Sequence, residues 1–249
     1  MSVAGVATVS TVASVTGVTG VAIVTGASRG LGFAFASRLA SEGWRVVVDA
    51  RDAAALAQAG AALGEAVVAV AGDVTDERHR LALVNDAKRL GGLDLLVNNA
   101  SVLGPSPQPR LADYPLAELR RVYEVNSLAP LALIQACLPL LVASAAPGGA
   151  IINISSDAGI EGYQCWGGYG SSKAALEQLS RVLAAELPDL RVYWVDPGDM
   201  NTRMHQEAYP GEDISDRPPP EESVPGLMRL VKERPPSGRY RARELGAGT

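Results

Sequence analysis

Cysteine and histidine are scarce in this sequence, with two of each among 249 residues. Cys137 and Cys165 are too few for a disulfide framework in a chain of this size, so we expect free thiols in a reducing cytoplasm. His79 and His205 lie far apart, and no metal-ligand spacing accompanies them. The sequence therefore predicts neither a structural disulfide nor a metal site.

Aromatic residues and lysines are also few: aromatics make up 5% of the chain, and three of the 22 basic residues are lysines. Hydrophobic residues nevertheless reach 47%, enough for a core built mainly from Ala, Val, Leu and Ile. The net charge of −5, without clustered basic residues, argues against a nucleic-acid partner. With so few lysines, one that falls inside a motif is informative.

Charge is absent from residues 1–20, a stretch of Val, Ala, Ser, Thr and Gly. A secretory signal would need a positive amino-terminal region, and a membrane span about 20 predominantly apolar residues. We therefore expect residues 1–20 to be a poorly ordered leader ahead of one domain over residues 21–249. No other segment is expected to enter a membrane.

Short Val- and Ile-rich runs alternate with longer stretches of helical periodicity. The runs are almost continuously apolar, which is typical of parallel strands buried on both faces. The fold is predicted to be α/β, a doubly wound, Rossmann-like parallel sheet of about seven strands with helices on both faces. The predicted strands are Val21–Thr25, Arg45–Ala50, Ala66–Ala71, Leu93–Asn98, Ala150–Ser155, Arg191–Asp196 and an edge strand Gly238–Ala242. The predicted helices cover residues 30–42, 52–62, 75–90, 116–144 and 168–187.

One composition break interrupts this alternation. Tyr209–Glu222 is rich in proline and acidic residues and is predicted to be an irregular surface segment. Ser223–Glu233 is predicted to form a short amphipathic helix, with Ser223 as its N-cap and Pro225 in its first turn.

The first predicted strand leads directly into a glycine-rich turn, Thr25–Gly32. Glycines let the backbone turn tightly and approach a pyrophosphate, while the following helix start supplies unpaired N–H groups. Such turns also occur without a ligand, but at the first strand of an α/β chain the pattern favours nucleotide binding. The residues expected to hold the nucleotide are Gly26, Ser28, Arg29, Gly30, Leu31 and Gly32.

Tyr169 and Lys173 are four residues apart in a predicted helix, so their side chains share one face. A phenol has a pKa near 10 and is a sluggish acid at neutral pH. A nearby ammonium, helped by the positive charge of an oxidised cofactor, favours the phenolate, lowers that pKa and suits the tyrosine to proton transfer. The spacing alone is common on solvated helix faces, so its meaning depends on the motifs around it.

Those motifs resemble the short-chain dehydrogenase/reductase family, whose glycine turn is T-G-x-x-x-G-x-G. The resemblance extends from about Val21 to Ala242. After the fourth strand, Asn98-Asn99-Ala100 matches the family's N-N-A-G, with Ser101 in place of the final glycine. After the sixth, Pro197-Gly198 and Thr202 match P-G-x-x-x-T.

The resemblance implies a catalytic tetrad of Asn126, Ser156, Tyr169 and Lys173. In the family the serine orients the substrate oxygen, the tyrosine exchanges a proton with it, and the lysine also holds the nicotinamide ribose. The adjacent Ser155 is an alternative to Ser156, but its side chain is expected on the opposite face of the strand. The family's asparagine distorts its helix and holds a water that links the lysine to solvent, although a local helix bond explains Asn126 equally well when taken alone.

The resemblance further implies a nicotinamide cofactor. Beyond the glycine turn, it is expected to contact Asp73, Val74, Asn99, Ala100, Tyr169, Lys173, Pro197, Gly198 and Thr202. A helix N-cap explains Asp73 equally well.

The end of the second strand bears on the choice between NAD and NADP. Ala50 stands where NAD-preferring members carry an acid, and Arg51 stands where NADP-preferring members carry a base. Arg29 is the second expected cation for the 2′-phosphate, so NADP(H) is favoured. A one-residue shift of register would instead make Asp49 the acid that NAD requires.

The expected activity is NADPH-dependent reduction of a ketone or aldehyde to an alcohol, or the reverse oxidation. Two alternatives are an epimerase or dehydratase that retains its cofactor, and a non-catalytic NADP-binding regulatory protein. The family also implies a small-molecule substrate, a substrate loop over residues 203–235, and a homodimer or homotetramer assembled through residues 116–144 and 168–187. Candidate pocket residues are Ser101, Val102, Leu103, Asp157, Ala158, Gln164, Cys165, Trp166, Asp199, Met200, Met204 and His205.

Overall fold

The computed structural model describes residues 19–144 and 148–247. The predicted leader therefore lies outside the described residues, except for its last two. Gly20 is the first residue of the first strand, and the backbone N–H of Thr19 donates to the carbonyl of Gly43 at 3.1 Å. The ordered domain thus begins before residue 21, because both residues pair with the sheet or its adjoining turn.

The described residues form a sheet of seven parallel strands in the order β3-β2-β1-β4-β5-β6-β7. This confirms the predicted Rossmann-like fold. The strand order reverses at β1, so the helices that connect β1 to β2 and β2 to β3 pack on one face, whereas those that connect β3 to β4, β4 to β5 and β5 to β6 pack on the other. The strands are β1 Gly20–Val24, β2 Trp44–Ala50, β3 Val67–Ala71, β4 Leu95–Asn98, β5 Ala150–Ile154, β6 Arg191–Asp196 and β7 Gly238–Arg241.

Helices cover both faces of this sheet. They are α1 Gly30–Ser41, α2 Ala53–Leu63, α3 Glu77–Arg89, α4 Leu116–Tyr123, α5 Ala129–Val142, α6 Gly167–Glu186, α7 Arg203–Ala208, α8 Val224–Glu233 and α9 Ala242–Gly246. Alternation along β1 divides the core: Ala22 and Val24 pack towards α1 and α8, whereas Val21 and Ile23 pack towards α3 and α5. The carboxyl ends of the strands are left to form the floor of a site.

The single helix predicted over residues 116–144 is interrupted. A π-helical turn, Glu124–Leu128, separates α4 from α5. Asn126 sits in this turn, and its side chain bonds to groups outside the helix. The interruption was not visible in the helical periodicity because a π turn adds one residue without breaking the helix.

Two helix starts also differ from the sequence prediction. Asp76, not Asp73, accepts the N-cap hydrogen bond of α3, and the helix begins at Glu77. Ser223 precedes α8 but makes no side-chain cap; its hydroxyl donates instead to the carbonyl of Pro197 at 2.7 Å. A tertiary partner has therefore replaced the local capping bond. Pro225 does lie in the first turn of α8, as predicted.

The segment Leu116–Val142 is long and apolar enough, by length and composition, to cross a membrane. This differs from the expectation that no segment of the chain is a candidate membrane span. Half of its most apolar window is buried inside the protein. Leu133, Ile134 and Leu141 pack in the core against the sheet, so the apolar composition reflects a helix of the folded interior.

Both cysteines are free thiols, as predicted. Cys137 lies on α5 inside the core, and burial raises the pKa of its thiol to about 12. A thiol that stays protonated is a poor nucleophile.

Candidate active site

A cavity of about 830 Å³ runs along the carboxyl ends of the strands. Every residue predicted to bind the cofactor lines this cavity, except Gly32 and Gly198. The predicted residues that line it are Gly26, Ser28, Arg29, Gly30, Leu31, Arg51, Asp73, Val74, Asn99, Ala100, Tyr169, Lys173, Pro197 and Thr202. Residues from five different strand ends thus meet at one site only because the sheet is parallel.

The glycine turn requires glycine at two positions. Gly26 has φ +67°, and a Cβ there would lie 2.8 Å from the Cα of Ala100. A Cβ on Gly32 would lie 2.5 Å from Nδ2 of Asn99, so this glycine permits close packing beneath the cavity. Among the described residues, no side chain caps the start of α1. The helix therefore presents unpaired N–H groups to the cavity, a fit for a pyrophosphate.

Thr25 and Asn99 fasten this turn to the end of β4. The hydroxyl of Thr25 accepts from the backbone N–H groups of Asn99 and Ala100, each at 3.0 Å. In return, Nδ2 of Asn99 donates to the carbonyls of Thr25 and Gly26. Asn99 therefore shapes the cavity wall, and Thr25, which the sequence reading did not single out, is its partner.

Asp49 faces the glycine turn. Its carboxylate accepts from the backbone N–H of Gly26 at 2.7 Å and contacts Nε2 of His79 at 2.8 Å, with 1% of the residue exposed. Both carboxylate oxygens are committed to protein groups. Asp49 therefore holds β2, the glycine turn and α3 together, a role that no sequence motif indicates.

Arg29 and Arg51 lie exposed at the cavity beside Ala50. Within residues 19–144 and 148–247, neither forms an ion pair. The neighbouring Asp52 is engaged as the N-cap of α2, accepting from the backbone of Ala54 and Ala55. Two cations are thus available to an anionic group at the end of β2.

Asp73 forms a local turn rather than a helix cap. Its Oδ1 accepts from the backbone N–H and the hydroxyl of Thr75, and its Oδ2 pairs with Arg121 at 2.6 Å. Burial opposes ionisation, but the Thr75 bonds and the Arg121 guanidinium outweigh it and lower the pKa of Asp73 to about 2. Arg121, which the sequence reading missed, therefore holds this wall of the cavity.

Tyr169 and Lys173 lie on the inward face of α6. Nζ of Lys173 donates to the carbonyl of Ile154 at 2.7 Å and lies 5.5 Å from the centre of the Tyr169 ring. Burial lowers the pKa of Lys173 to about 7. Burial also raises the pKa of the Tyr169 phenol, and the charges of Asp196 and Asp157 add to that rise.

In the chain without a cofactor, the pKa of Tyr169 thus moves in the direction opposite to the lowering expected from Lys173 and an oxidised cofactor together. Lys173 is itself desolvated, so its cationic form is disfavoured and cannot outweigh the burial of the phenol. In the chain alone, Tyr169 is a protonated acid at neutral pH.

Ser156 follows β5 and lies beside Tyr169. The neighbouring hydroxyls of Ser156 and Ser101 lower the phenol pKa, against the effect of burial. The Ser156 hydroxyl also contacts Oδ1 of Asp157 at 2.9 Å. Ser155 is buried, and its hydroxyl donates to Glu177 at 2.7 Å. The two serines therefore point to different partners, as strand alternation predicts.

Asn126 lies buried between α6 and the segment after β4. Its Nδ2 donates to the carbonyl of Val102 and to Oγ of Ser172, while its Oδ1 accepts from Ser101 and from the backbone of Val102. A primary amide has two donors and two acceptor positions, so the side chain is fully engaged. The predicted water is therefore not held by this side chain, which instead ties two walls of the site together.

The Pro197-Gly198 turn ends β6 at the opposite side of the cavity. Asp196 accepts from the backbone N–H of Gly198 at 2.9 Å, and Ser223 bonds to the carbonyl of Pro197. Thr202 is the N-cap of α7, where its hydroxyl accepts from the N–H of His205 at 3.3 Å. Pro197 and Thr202 face the cavity, whereas Gly198 shapes the turn.

An apolar and aromatic cluster, to which α7 contributes, covers Tyr169. Trp166 packs edge-on against Tyr169 with ring centres 5.9 Å apart, and Tyr209 lies 6.0 Å from Trp166. Met204 and Leu103 belong to the same cluster. The segment predicted to be a substrate loop thus contains a short helix that the sequence reading missed, because six residues are too few for a clear period.

Replacing Lys173 with Met is expected to flatten the pH dependence of stability. Lys173 has a pKa of about 7 when folded, against an ordinary value of 10.5, so the unfolded chain binds the extra proton between these pH values. The natural protein should therefore gain stability as pH rises through this window, on the order of 5 kcal/mol from this group. Thermal unfolding of both proteins across the window measures the difference.

Lys88→Met is the control, because Lys88 is exposed on α3. It should leave the pH dependence of the natural protein in place. An identical pH dependence in Lys173→Met and the natural protein would show that burial does not lower the pKa of Lys173 in the folded protein.

Comparisons with known proteins agree with this arrangement. The short chain dehydrogenase family model matches residues 20–213. A 3-oxoacyl-acyl-carrier-protein reductase of rhamnolipid biosynthesis from Pseudomonas aeruginosa is 40% identical over 193 residues, which cover 74% of this chain and 73% of the relative.

Solved structures share the whole fold. A short chain dehydrogenase from Pseudomonas syringae has a TM-score of 0.84 and 32% identity, covering 91% of this chain and 95% of that one. One from Escherichia coli CFT073, solved as a complex with NADPH, has a TM-score of 0.83 and 29% identity, covering 91% and 97% of the two chains. The chain therefore belongs to the short-chain dehydrogenase/reductase family and is an oxidoreductase that acts on CH–OH or carbonyl groups of small molecules.

Proposed function

We propose that this enzyme reduces a ketone or aldehyde to an alcohol with NADPH, or catalyses the reverse oxidation, with Tyr169 as the acid or base. The observation that carries the proposal is the burial of the Tyr169 hydroxyl beside Ser156 and Lys173, at the inner end of a cavity lined by a glycine turn. The cavity can hold a nucleotide along its length and leaves the phenol at the reacting end.

The residues present fit a nicotinamide dinucleotide. The start of α1 and the glycine turn offer N–H groups to a pyrophosphate, and Asp73 and Val74 border the adenine end. Tyr169, Lys173 and Pro197 border the other end. When bound, the cofactor supplies or accepts the hydride at the carbon of the substrate.

Tyr169 moves the proton that accompanies the hydride. During reduction, its Oη–H bond breaks, the proton joins the carbonyl oxygen, and the tyrosine becomes a phenolate that solvent must reprotonate. Burial raises the pKa of Tyr169, so in the chain alone the phenol is protonated at neutral pH and has a proton to donate. Oxidation of an alcohol would require the phenolate and therefore a higher pH.

The other three residues of the proposed tetrad orient this step. The hydroxyl of Ser156, which donates to Asp157 in the chain alone, would turn to bond the same substrate oxygen that Tyr169 protonates. Lys173 lies within reach of the ribose side of the cavity and places a charge near the phenolate as it forms. Asn126 holds Ser101 and Ser172 in place and so fixes the distance between β4 and α6.

NADP(H) is the cofactor that best matches the cation pair at the end of β2. Arg29 and Arg51 are exposed at the cavity, and Ala50 leaves no carboxylate at the position that would repel a 2′-phosphate. Asp49, the residue that a shifted register would make an NAD-type acid, is buried against Gly26 and His79. The Escherichia coli structure solved with NADPH adds support.

Replacing Arg51 with Ala should raise the KM for NADPH by about 10- to 100-fold, because a hydrogen bond to a charged group contributes about 1.5–3 kcal/mol. The KM for NADH should change less than about 2-fold, since no 2′-phosphate is present. Steady-state kinetics with both cofactors measure this. Arg78→Ala, an exposed arginine on α3 outside the cavity, is the control. Equal losses with NADPH and NADH would rule out recognition of the phosphate by Arg51.

Replacing Tyr169 with Phe should lower kcat by about 10²- to 10⁴-fold, because the proton donor is lost. The dissociation constant for NADPH should stay within about 2-fold, since only the hydroxyl is removed. A carbonyl panel of 3-oxoacyl thioesters, cyclic ketones and aldehydes, followed by NADPH absorbance, measures the first quantity, and fluorescence titration measures the second. Tyr240→Phe removes a phenol hydroxyl on β7 and serves as the control.

An unchanged kcat in Tyr169→Phe would contradict the proposed role of Tyr169 as the proton donor. Turnover of substrate without net consumption of NADPH would point instead to an epimerase or dehydratase that retains its cofactor.

We also propose that the chain assembles as a homodimer or homotetramer through the two long helical segments. Leu128, Val142 and Val182 are exposed there, by 50%, 64% and 44%. Sedimentation should give two or four times the chain mass, and Val182→Glu should shift the protein towards monomer. Leu81→Glu, at a residue 47% exposed on α3, is the control. A monomeric natural protein at micromolar concentration would contradict the proposal.

A further inference from the structure

A buried carboxylate lies one helical turn beyond Lys173 on the same face of α6. Glu177 is 1% exposed, and three groups share its two oxygens. Oε1 accepts from Oγ of Ser155 at 2.7 Å and from Nε of Arg239 at 3.0 Å, while Oε2 accepts from Arg181 at 2.9 Å. The contact with Ser155 joins the helix that carries the catalytic tyrosine to the strand end that carries Ser156.

Arg239 reaches the same strand end from β7. Its Nη2 donates to the backbone carbonyl of Ser156 at 3.3 Å and lies 3.6 Å from Oδ2 of Asp196. One guanidinium therefore contacts α6 through Glu177, β5 through Ser156 and β6 through Asp196. A planar fork of N–H groups can hold several acceptors in fixed directions, which a single ammonium cannot do.

Arg181 provides an internal comparison because it binds the same carboxylate from the other side. Its side chain is 44% exposed, against 19% for Arg239. Arg181 also lies over the ring of Trp194 at 5.6 Å, away from the Ser156 carbonyl. The two arginines thus share an ion-pair partner, but Arg239 alone has a described contact with a residue of the proposed tetrad.

We propose that Glu177 and Arg239 are positioning residues for the reduction, which together set the place of Ser156 relative to Tyr169 and Lys173. The inference rests on the proposed function. Neither residue lines the cavity, so both would act through the Ser155-Ser156 strand end. The position of Ser156 is set by the bond from Arg239 to its carbonyl and by the bond from the neighbouring Ser155 to Glu177. Tyr169 lies on α6, the same helix as Glu177.

The energetics of burial favour this reading over a purely stabilising role. A buried ion pair is seldom more stable than well-packed apolar side chains of similar volume, because both charges lose their hydration. What a charged cluster with many directional bonds adds is a defined geometry. A displacement of about 1 Å at a reacting group can cost about 10²-fold in rate, so such a geometry has a measurable consequence.

Two conservative substitutions, one at each arginine that binds the Glu177 carboxylate, test the proposal. Arg239→Lys keeps the charge beside Glu177 but cannot hold Glu177, Ser156 and Asp196 together. Arg181→Lys makes the same chemical change on the exposed side and is the matched control. We expect Arg239→Lys to lower kcat for carbonyl reduction by about 10-fold or more, with the dissociation constant for NADPH within about 2-fold of the natural protein. Arg181→Lys should leave both quantities within about 2-fold.

The melting temperature separates misplacement from unfolding, so it is measured for both variants. If Arg239→Lys is too unstable to assay, the double variant Glu177→Gln/Arg239→Gln removes the charges of this pair together, so that neither Glu177 nor Arg239 is left as a buried charge without its partner. It should fold, bind NADPH and show the same loss of kcat.

Equal kcat values in Arg239→Lys and Arg181→Lys, or natural activity in the double variant, would overturn the positioning role while leaving the proposed function intact. A parallel loss of NADPH binding and kcat in Arg239→Lys would also overturn it, because that pattern indicates general damage. A natural protein that reduces no carbonyl in the panel would refute the proposed function itself, and the positioning role with it.

Discussion

Helix α6 packs on the end of β5 through buried polar contacts as well as apolar ones. Tyr169, Lys173 and Glu177 follow one another at four-residue spacing along its inward face, and Lys173 and Glu177 bond to groups at that strand end. A buried charge that loses its partner costs several kcal/mol, roughly, so these contacts permit few alternative placements of the helix. The geometry of the proposed catalytic residues depends on this restriction.

A second buried polar ladder extends the same constraint into the sheet. Nδ2 of Asn98 donates to Oδ1 of Asn153 at 2.8 Å, and Nδ2 of Asn153 donates to Oγ of Ser180 on α6, also at 2.8 Å. The ladder links β4, β5 and α6 beneath the cavity. Because each member is buried and paired, the cluster specifies one register among three elements that apolar packing alone would leave adjustable.

At the cofactor end of the cavity, the groups available for binding differ from those beside α6. There the backbone itself supplies the binding groups, and side chains such as Asp49, Thr25 and Asn99 hold that backbone in place. This division explains why Asp49 and Asn99, although they line the cavity, have their polar atoms bonded to protein groups. It also leaves Arg29, in the glycine turn, and Arg51, after β2, exposed at the cavity and without ion pairs among the described residues, where they can select among ligands.

The sequence by itself determined the layered α/β fold, the glycine turn and the chain order of the site residues, because periodicity and turn chemistry are local properties. Only the tertiary structure decided the roles that depend on distant partners. It made Asp49 hold β2, the glycine turn and α3 together, moved the Ser223 hydroxyl from a helix cap to the Pro197 carbonyl, saturated the Asn126 amide and raised the pKa of Tyr169. Glu177 and Arg239 are 62 residues apart in sequence, and no local pattern indicates that they pair. Burial and long-range contacts fix such roles, and neither is a property of a short segment.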